Sequence, residues 1–430
     1  MPSWKKEASK GCEVMGKLNG CISSSTNGVI EDVNIVGVGP DVSSQFNELT
    51  VAARTPVIEL SSTYGISDLR DVIDTTGTGT VTNDTVEYLI STGIGAGAEA
   101  VLDSAQRGRY QPGYAVEAGV GARVMTPPTG EQVARWGLFD DENGAFFGVD
   151  SSGIFLGYRR DGVDTVVPQA SWNIDPLDGT GPSGITLDLS NGNIFQIVFS
   201  WYGYGVIEWQ VVSQNPVDLS QTVVTVNRVK PLGQTSFTDP NLPLRGQVEN
   251  GATTGTDFTL YLAGRQYSII GNYKPVFRVT SERRSFTATT TLSPVISFQR
   301  KAIFPAGSGR PNSVNVTLEG LDLLTASDIY YQVILGSTIN GTFVNFPTAT
   351  TNIPNSETAL LVNINSTTFT TVGQVVFQGL AAGGQGNTRS LTTGSLLDLI
   401  LADDQIITLA VATFTGTSAI QAAFRVSEEW

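Results

Sequence analysis

The chain has 430 residues, with 25 Lys and Arg against 40 Asp and Glu, a formal charge of −15 and no histidine. The missing imidazole excludes Ser-His-Asp and Cys-His triads, His-ligated zinc or haem and His acid–base chemistry. The acidic balance argues against general nucleic-acid binding, because phosphates need cations. Charged residues are only 15% of the chain and apolar ones 40%, against about 25% charged in ordinary domains, as befits a folded protein poor in long polar helices.

At about 100–200 residues per domain the length predicts two or three domains. No stretch reaches the roughly 20 uninterrupted apolar residues of a membrane helix, and the first residues lack the apolar centre of a signal peptide. A soluble protein with no membrane insertion is expected. Cys12 and Cys21 fall outside any CxxC spacing. Pairing with each other, pairing between chains and free thiols stay open, with free thiols expected.

In chain order, residues 1–50 carry Lys5, Lys6, Lys10 and Lys17 and then a Ser/Gly-rich stretch, which reads as an extended basic arm suited to docking on an acidic neighbour. Residues 51–105 are expected to be a strand- and loop-rich connection, with a short helix at Ser67–Asp74 behind a Ser cap. Residues 106–290 are expected to form a central β-sandwich. In the run Gly192–Ser200 (GNIFQIVFS), Phe195, Ile197 and Phe199 share one strand face and Ile194, Gln196 and Val198 the other. Similar runs at Phe146–Tyr158, Thr222–Val229 and Thr259–Tyr261 continue the pattern. Residues 291–430 are expected to form a second sandwich, with strands at Val314–Leu318, Tyr330–Leu335, Leu360–Ile364, Gln374–Phe377, Ile406–Val411 and Ala422–Val426; Ser395–Leu401 reads as a helical turn or a strand. Short strands punctuated by Gly and Asn-Gly predict an all-β chain of two jelly-roll-like sandwiches behind the arm.

Three places hold candidate chemistry. Asp140, Asp141 and Glu142, followed by Asn143-Gly144, suit a hairpin turn between apolar strands; the alternative is a cation site on Asp140 and Asp141. Asp175–Gly184 (DPLDGTGPSG) reads as a rigid connection, since its Asp spacing departs from the twelve-residue calcium loop. Trp201, Tyr202 and Tyr204, in SWYGYGVIEWQ, are candidates for stacking on sugar rings. Strand parity favours core packing, with Trp201 and Trp209 on one face and Tyr202, Tyr204 and Glu208 on the other. A glycosidase built on Glu208 needs a second carboxylate, about 5–5.5 Å away in a retaining enzyme, and none can be nominated from spacing. No GxxxxGK[ST] occurs, and the glycosylation-type triplets at Asn83, Asn315, Asn340 and Asn365 carry little weight in an Asn/Thr-rich chain. No catalytic residue and no cofactor is expected.

Four elements taken together give a resemblance: Thr55–Leu60 with Tyr64-Gly65-Ile66 and Ser91-Thr92-Gly93; Leu102–Tyr114 (LDSAQRGRYQPGY) followed by Arg135–Arg160; Ala170–Asn173 with Leu177–Gly184, ending in Asn241–Arg245; and Glu428-Glu429-Trp430. Over most of residues 55–430 the chain resembles β-rich virion structural proteins of tailed phages of the marine and cyanobacterial type, with relatives in large DNA viruses. It departs from them at Ala118–Thr126 (AGVGARVMT), where a more aromatic strand is expected. The resemblance implies a non-enzymatic component of the virion (a capsid decoration, head fibre, baseplate or tail-fibre protein) built from jelly-roll-like sandwiches. Its partners would be its own copies, as a trimer or another closed ring, and other virion proteins. The alternative is a receptor- or carbohydrate-binding adhesin module at a fibre tip, meeting a host-surface glycan through Trp201, Tyr202 and Tyr204. A carboxylate-based glycosidase or depolymerase ranks third. With no histidine to titrate, assembly is expected to be insensitive to pH between about 6 and 8.

Overall fold

The computed structural model describes residues 22–23, 32–33 and 54–429, except 215–220, 254, 272, 274–276, 347–353, 385–387, 393–400 and 403–404. Lys5, Lys6, Lys10, Lys17, Cys12 and Cys21, and most of Ser395–Leu401, lie outside the described residues. Strands β1 (Ile22–Ser23) and β2 (Asp32–Val33) pair antiparallel.

The first sandwich is built from β3 (Arg54–Leu60), β4 (Asp71–Thr76), β5 (Thr80–Asn83), β6 (Tyr88–Ser91), β7 (Glu99–Ser104), β8 (Ala115–Arg123), β9 (Val133–Phe139), β10 (Asn143–Asp150), β11 (Gly153–Arg160), β12 (Val163–Pro168), β13 (Asn193–Phe199), β14 (Ile207–Gln214), β15 (Gln221–Val229), β16 (Leu244–Glu249) and β17 (Thr259–Ile270). One sheet has the order β12-β11-β10-β9-β16-β7-β4 and the other β15-β14-β13-β8-β17-β6-β5, with β3 also paired to β17. Period-two alternation decides which face turns inward. Along β8, Val116, Ala118, Val120 and Ala122 enter the core, leaving Glu117, Gly119 and Gly121 on the opposite face. Trp136 and Phe147 close on Phe195 with ring centroids 5.0 and 4.8 Å apart, tying the two sheets together.

The second sandwich comprises β18 (Phe277–Ala288), β19 (Ser293–Arg300), β20 (Asn315–Thr325), β21 (Ile329–Leu335), β22 (Thr338–Ile339), β23 (Val344–Asn345), β24 (Leu360–Asn363), β25 (Phe369–Thr371), β26 (Gln374–Ala381), β27 (Thr388–Thr392), β28 (Ile406–Thr413) and β29 (Ser418–Glu429). Its sheets are β18-β29-β20-β27 and β23-β24-β19-β28-β21-β26, while β22 and β25 pair separately. A second apolar core, with Phe298 between Phe346 and Phe424, fills the space between them. Apart from single 3₁₀ turns the described residues are strand, turn and loop, as the composition predicts.

Two expectations change. Residues 51–105 are not a separate connection, because β3 to β7 belong to the two sheets of the first sandwich. Ser67–Asp74 is not a helix: the Leu69 N–H does donate to Ser67 Oγ at 3.3 Å, but from Asp71 the chain pairs with β7. The β-branched Val72 and Ile73 favour that ladder.

A polar seam joins the two sandwiches. Arg107 and Asn315 exchange two bonds, backbone N–H to Oδ1 at 3.4 Å and Nδ2 to carbonyl at 3.2 Å. Arg109 Nη1 donates to the Ser313 carbonyl at 2.8 Å, Arg310 Nη1 to the Thr238 carbonyl at 2.9 Å, and Ser313 Oγ to Asp239 at 2.5 Å.

Candidate functional site

The acidic run forms the predicted hairpin turn. Asp140, Asp141 and Glu142 join β9 to β10, while Asn143 and Gly144 already belong to β10. Asp140 Oδ1 accepts the N–H groups of Glu142 and Asn143 at 2.9 and 2.8 Å, and Oδ2 accepts from Arg107 Nη1 at 2.7 Å. Asp141 pairs with Arg245, which also holds Asp103 through two bonds of 2.7 Å. Burial alone would raise the Asp141 carboxyl, but Arg245 brings it below its ordinary value. Both carboxylates are thus taken up by arginines and turn amides. Among the described residues, no group of three or more His, Cys, Asp or Glu side chains is placed to hold a metal ion.

The Asp175–Gly184 loop likewise spends its acids on its own backbone. Asp175 accepts from the N–H groups of Leu177 and Ser183 at 2.9 and 2.7 Å, and Asp178 from that of Thr180 at 2.9 Å.

The aromatic run behaves differently from its parity reading. Residues 200–206 form a turn between β13 and β14, so alternation applies only from Ile207 onward. Trp209 alone is core, fully buried with Nε1 donating to the Phe146 carbonyl at 3.1 Å. Trp201 is half-buried and donates to the Phe237 carbonyl at 3.1 Å. Tyr202 and Tyr204 are 43% and 64% exposed. The turn is closely bound. The N–H groups of Tyr204 and Gly205 donate to the Trp201 carbonyl at 2.8 and 2.7 Å, and Ser236 binds the Gly203 and Gly205 carbonyls at 2.8 Å each. Gly205 is required there, since a Cβ would sit 1.2 Å from the Ser200 carbonyl oxygen. Tyr110, which the sequence did not single out, braces the turn. Its ring stacks on Phe199 at 6.0 Å and meets Trp201 edge-on at 5.8 Å, and its hydroxyl accepts the Tyr202 N–H at 3.2 Å. The RYQPGY segment held the only signal, an aromatic pair beside turn residues. Tyr202 itself has φ +43°, in the left-handed region that a bulky residue rarely occupies.

Glu208 is fully buried, accepting from Arg228 Nε at 2.5 Å, from Thr225 Oγ1 at 2.9 Å and from Gln210. Strand register supplies a second carboxylate on its face: Val198 pairs with Glu208 on one side and with Glu117 on the other. The two are therefore two strand spacings apart, about 10 Å between Cα atoms. Glu117 is 3% exposed, 2.7 Å from Arg54, and accepts from Gln196 Nε2 at 3.0 Å and Gln266 Nε2 at 3.2 Å. Burial pushes its carboxyl above the ordinary value, with Arg54 and Gln266 opposing.

No family model and no curated protein matches the sequence. Among solved structures the chain is similar to a cellulose-induced protein, Cip1, at 17% identity over 50% of this chain and 96% of that one, with a TM-score of 0.30. It is also similar to a legume lectin-like domain from Entamoeba histolytica at 9% identity over 48% and 96%, TM-score 0.28. Arcelin-5, a lectin-like defence protein from Phaseolus vulgaris, matches at 9% identity over 49% and 97%, TM-score 0.29.

Proposed function

We propose that the protein is a non-catalytic carbohydrate-binding protein whose first sandwich presents Tyr202 and Tyr204 to a glycan. The observation that carries this reading is the backbone of Tyr202. A left-handed conformation costs a side-chain-bearing residue about 1–2 kcal/mol, and here it holds an exposed ring on a turn fixed by hydrogen bonds. Strain kept at a surface aromatic points to contact outside the chain. The arginines on Glu208 and Glu117 favour binding over hydrolysis, because carboxylates so held are poorly free to exchange protons with a substrate. Replacing both Tyr202 and Tyr204 with Ala is expected to abolish signal on a glycan array while circular dichroism is unchanged; undiminished glycan binding by the folded double variant would refute the assignment.

A second reading, a structural component of a virus particle, is favoured by the seam, which makes one unit of two sandwiches, and by the motif resemblance. It expects a closed oligomer. Sedimentation at the mass of a trimer supports it, and a monomer at micromolar concentration counts against it.

A further inference from the structure

The outer face of β14, β13, β8 and β17 carries polar side chains in register. Gln196 lies opposite Gln210 on one neighbour and Gly119 on the other, and Gly119 lies opposite Gln266. The row thus runs Gln210, Gln196, Gly119, Gln266. One level along, Glu117 extends between Gln196 and Gln266, the two amides that flank Gly119, and accepts an N–H from each. The Gln266 carbonyl is fixed in turn by Ser268 Oγ at 2.7 Å. Gln196 Oε1 accepts no bond among the described residues, and each amide keeps a second N–H.

Gln196 and Gln266 line a trough of about 530 Å³, within the range of small-ligand sites. Gly119 and Gly121 form its floor, and Ile194 and Leu60 stand among its apolar walls. A Cβ on Gly119 would approach Gln266 Cγ and Nε2 to 3.2 Å, so the absent side chain is what opens the space between the amides. Gln196 and Gln266 are about 10 Å apart at Cα, two strand spacings. Ile194, the second residue of β13, is 44% exposed.

We infer that this trough is a second ligand site, separate from the tyrosine turn, and that it takes one uncharged hexose unit of a glycan. An amide offers a donor and an acceptor side by side, which matches adjacent hydroxyls. The glycine floor and Ile194 accept the apolar face of a pyranose ring. The buried Glu117 fixes the amide orientation before ligand arrives. An anionic sugar would meet the Glu59 carboxylate on the wall. Gln196 lies within β13 and Tyr202 in the turn beyond its end, so each site can be removed without the other.

The test is methyl NMR of the full chain with labelled isoleucine, titrated with neutral hexaoses of β-1,4-glucan, β-1,3-glucan, α-1,4-glucan and β-1,4-mannan, and with an alginate hexamer as the anionic arm. At least one neutral hexaose is expected to shift the Ile194 methyl saturably. Gln196→Ala is expected to weaken that response at least tenfold, and the Tyr202→Ala/Tyr204→Ala variant to leave it unchanged. No response to any neutral hexaose, a response to alginate alone, or undiminished binding by Gln196→Ala would each overturn the inference. Loss of array binding in the tyrosine variant with the Ile194 response retained separates the two sites, so either reading can fail alone.

Discussion

The two outer faces of the first sandwich solve the same problem in opposite ways. On the β9, β10 and β11 side, Phe139, Phe146 and Phe155 cluster outside the core, and arginines roof them: Arg159 lies 5.7 and 5.8 Å from the Phe139 and Phe146 centroids and Arg245 5.5 Å from that of Phe139. Those arginines are themselves held, Arg159 by Asp164 at 2.6 Å and Arg245 by Asp103 at 2.7 Å. That face is closed by its own side chains. On the β8, β13, β14 and β17 side the acids and amides bind one another at the level of the sheet, glycines take the next positions, and the surface stays open. Charge paired above a sheet seals it, and charge paired within a sheet leaves a floor.

The contrast is broken most strongly at Arg245. Arg245→Ala leaves the part-buried Asp103 without its partner and is expected to cost about 3 kcal/mol, read as a lower urea midpoint; a loss under about 1 kcal/mol would show that the roof is dispensable. The pH dependence comes next. Asp141 is held below its ordinary value on the closed face and Glu117 above its own on the open one. The Asp141 contribution is therefore present at neutral pH and fades as acid protonates it, whereas that of Glu117 is full below its unfolded value and is lost as pH rises through its folded one. Urea midpoints between pH 3.5 and 7 are expected to show Asp141→Asn falling behind wild type as pH rises, and Glu117→Gln gaining on it. Parallel trends for the two variants would remove the distinction. The smallest effect belongs to Gln196→Ala, expected within about 1 kcal/mol of wild type, since its amide serves the open surface and not the core.

The strand inventory was legible because alternation is local. In Gly192–Ser200 the reading that put Phe195, Ile197 and Phe199 on one face holds, with all three buried. The Asp140 hairpin was legible for the same reason. The tyrosine turn was half-legible: the rings stood out by type, but parity misplaced them, because no alternation survives a turn through φ +43°. The amide row was not legible. Glu117 meets Gln196 across 79 residues and Gln266 across 149, and such meetings depend on register between distant strands, where a slip of one residue reverses every face. The departure at Ala118–Thr126 turns out to contain the glycine floor, though nothing in the sequence alone marked it as one.

The bracing of the tyrosine turn also has a kinetic side. Its carbonyls at 201, 203 and 205 and the N–H of Tyr202 are already engaged, so an arriving ligand has little backbone left to order. On the proposed carbohydrate-binding reading, sugars that differ in fit at Tyr202 and Tyr204 would then associate at similar rates and differ in residence time.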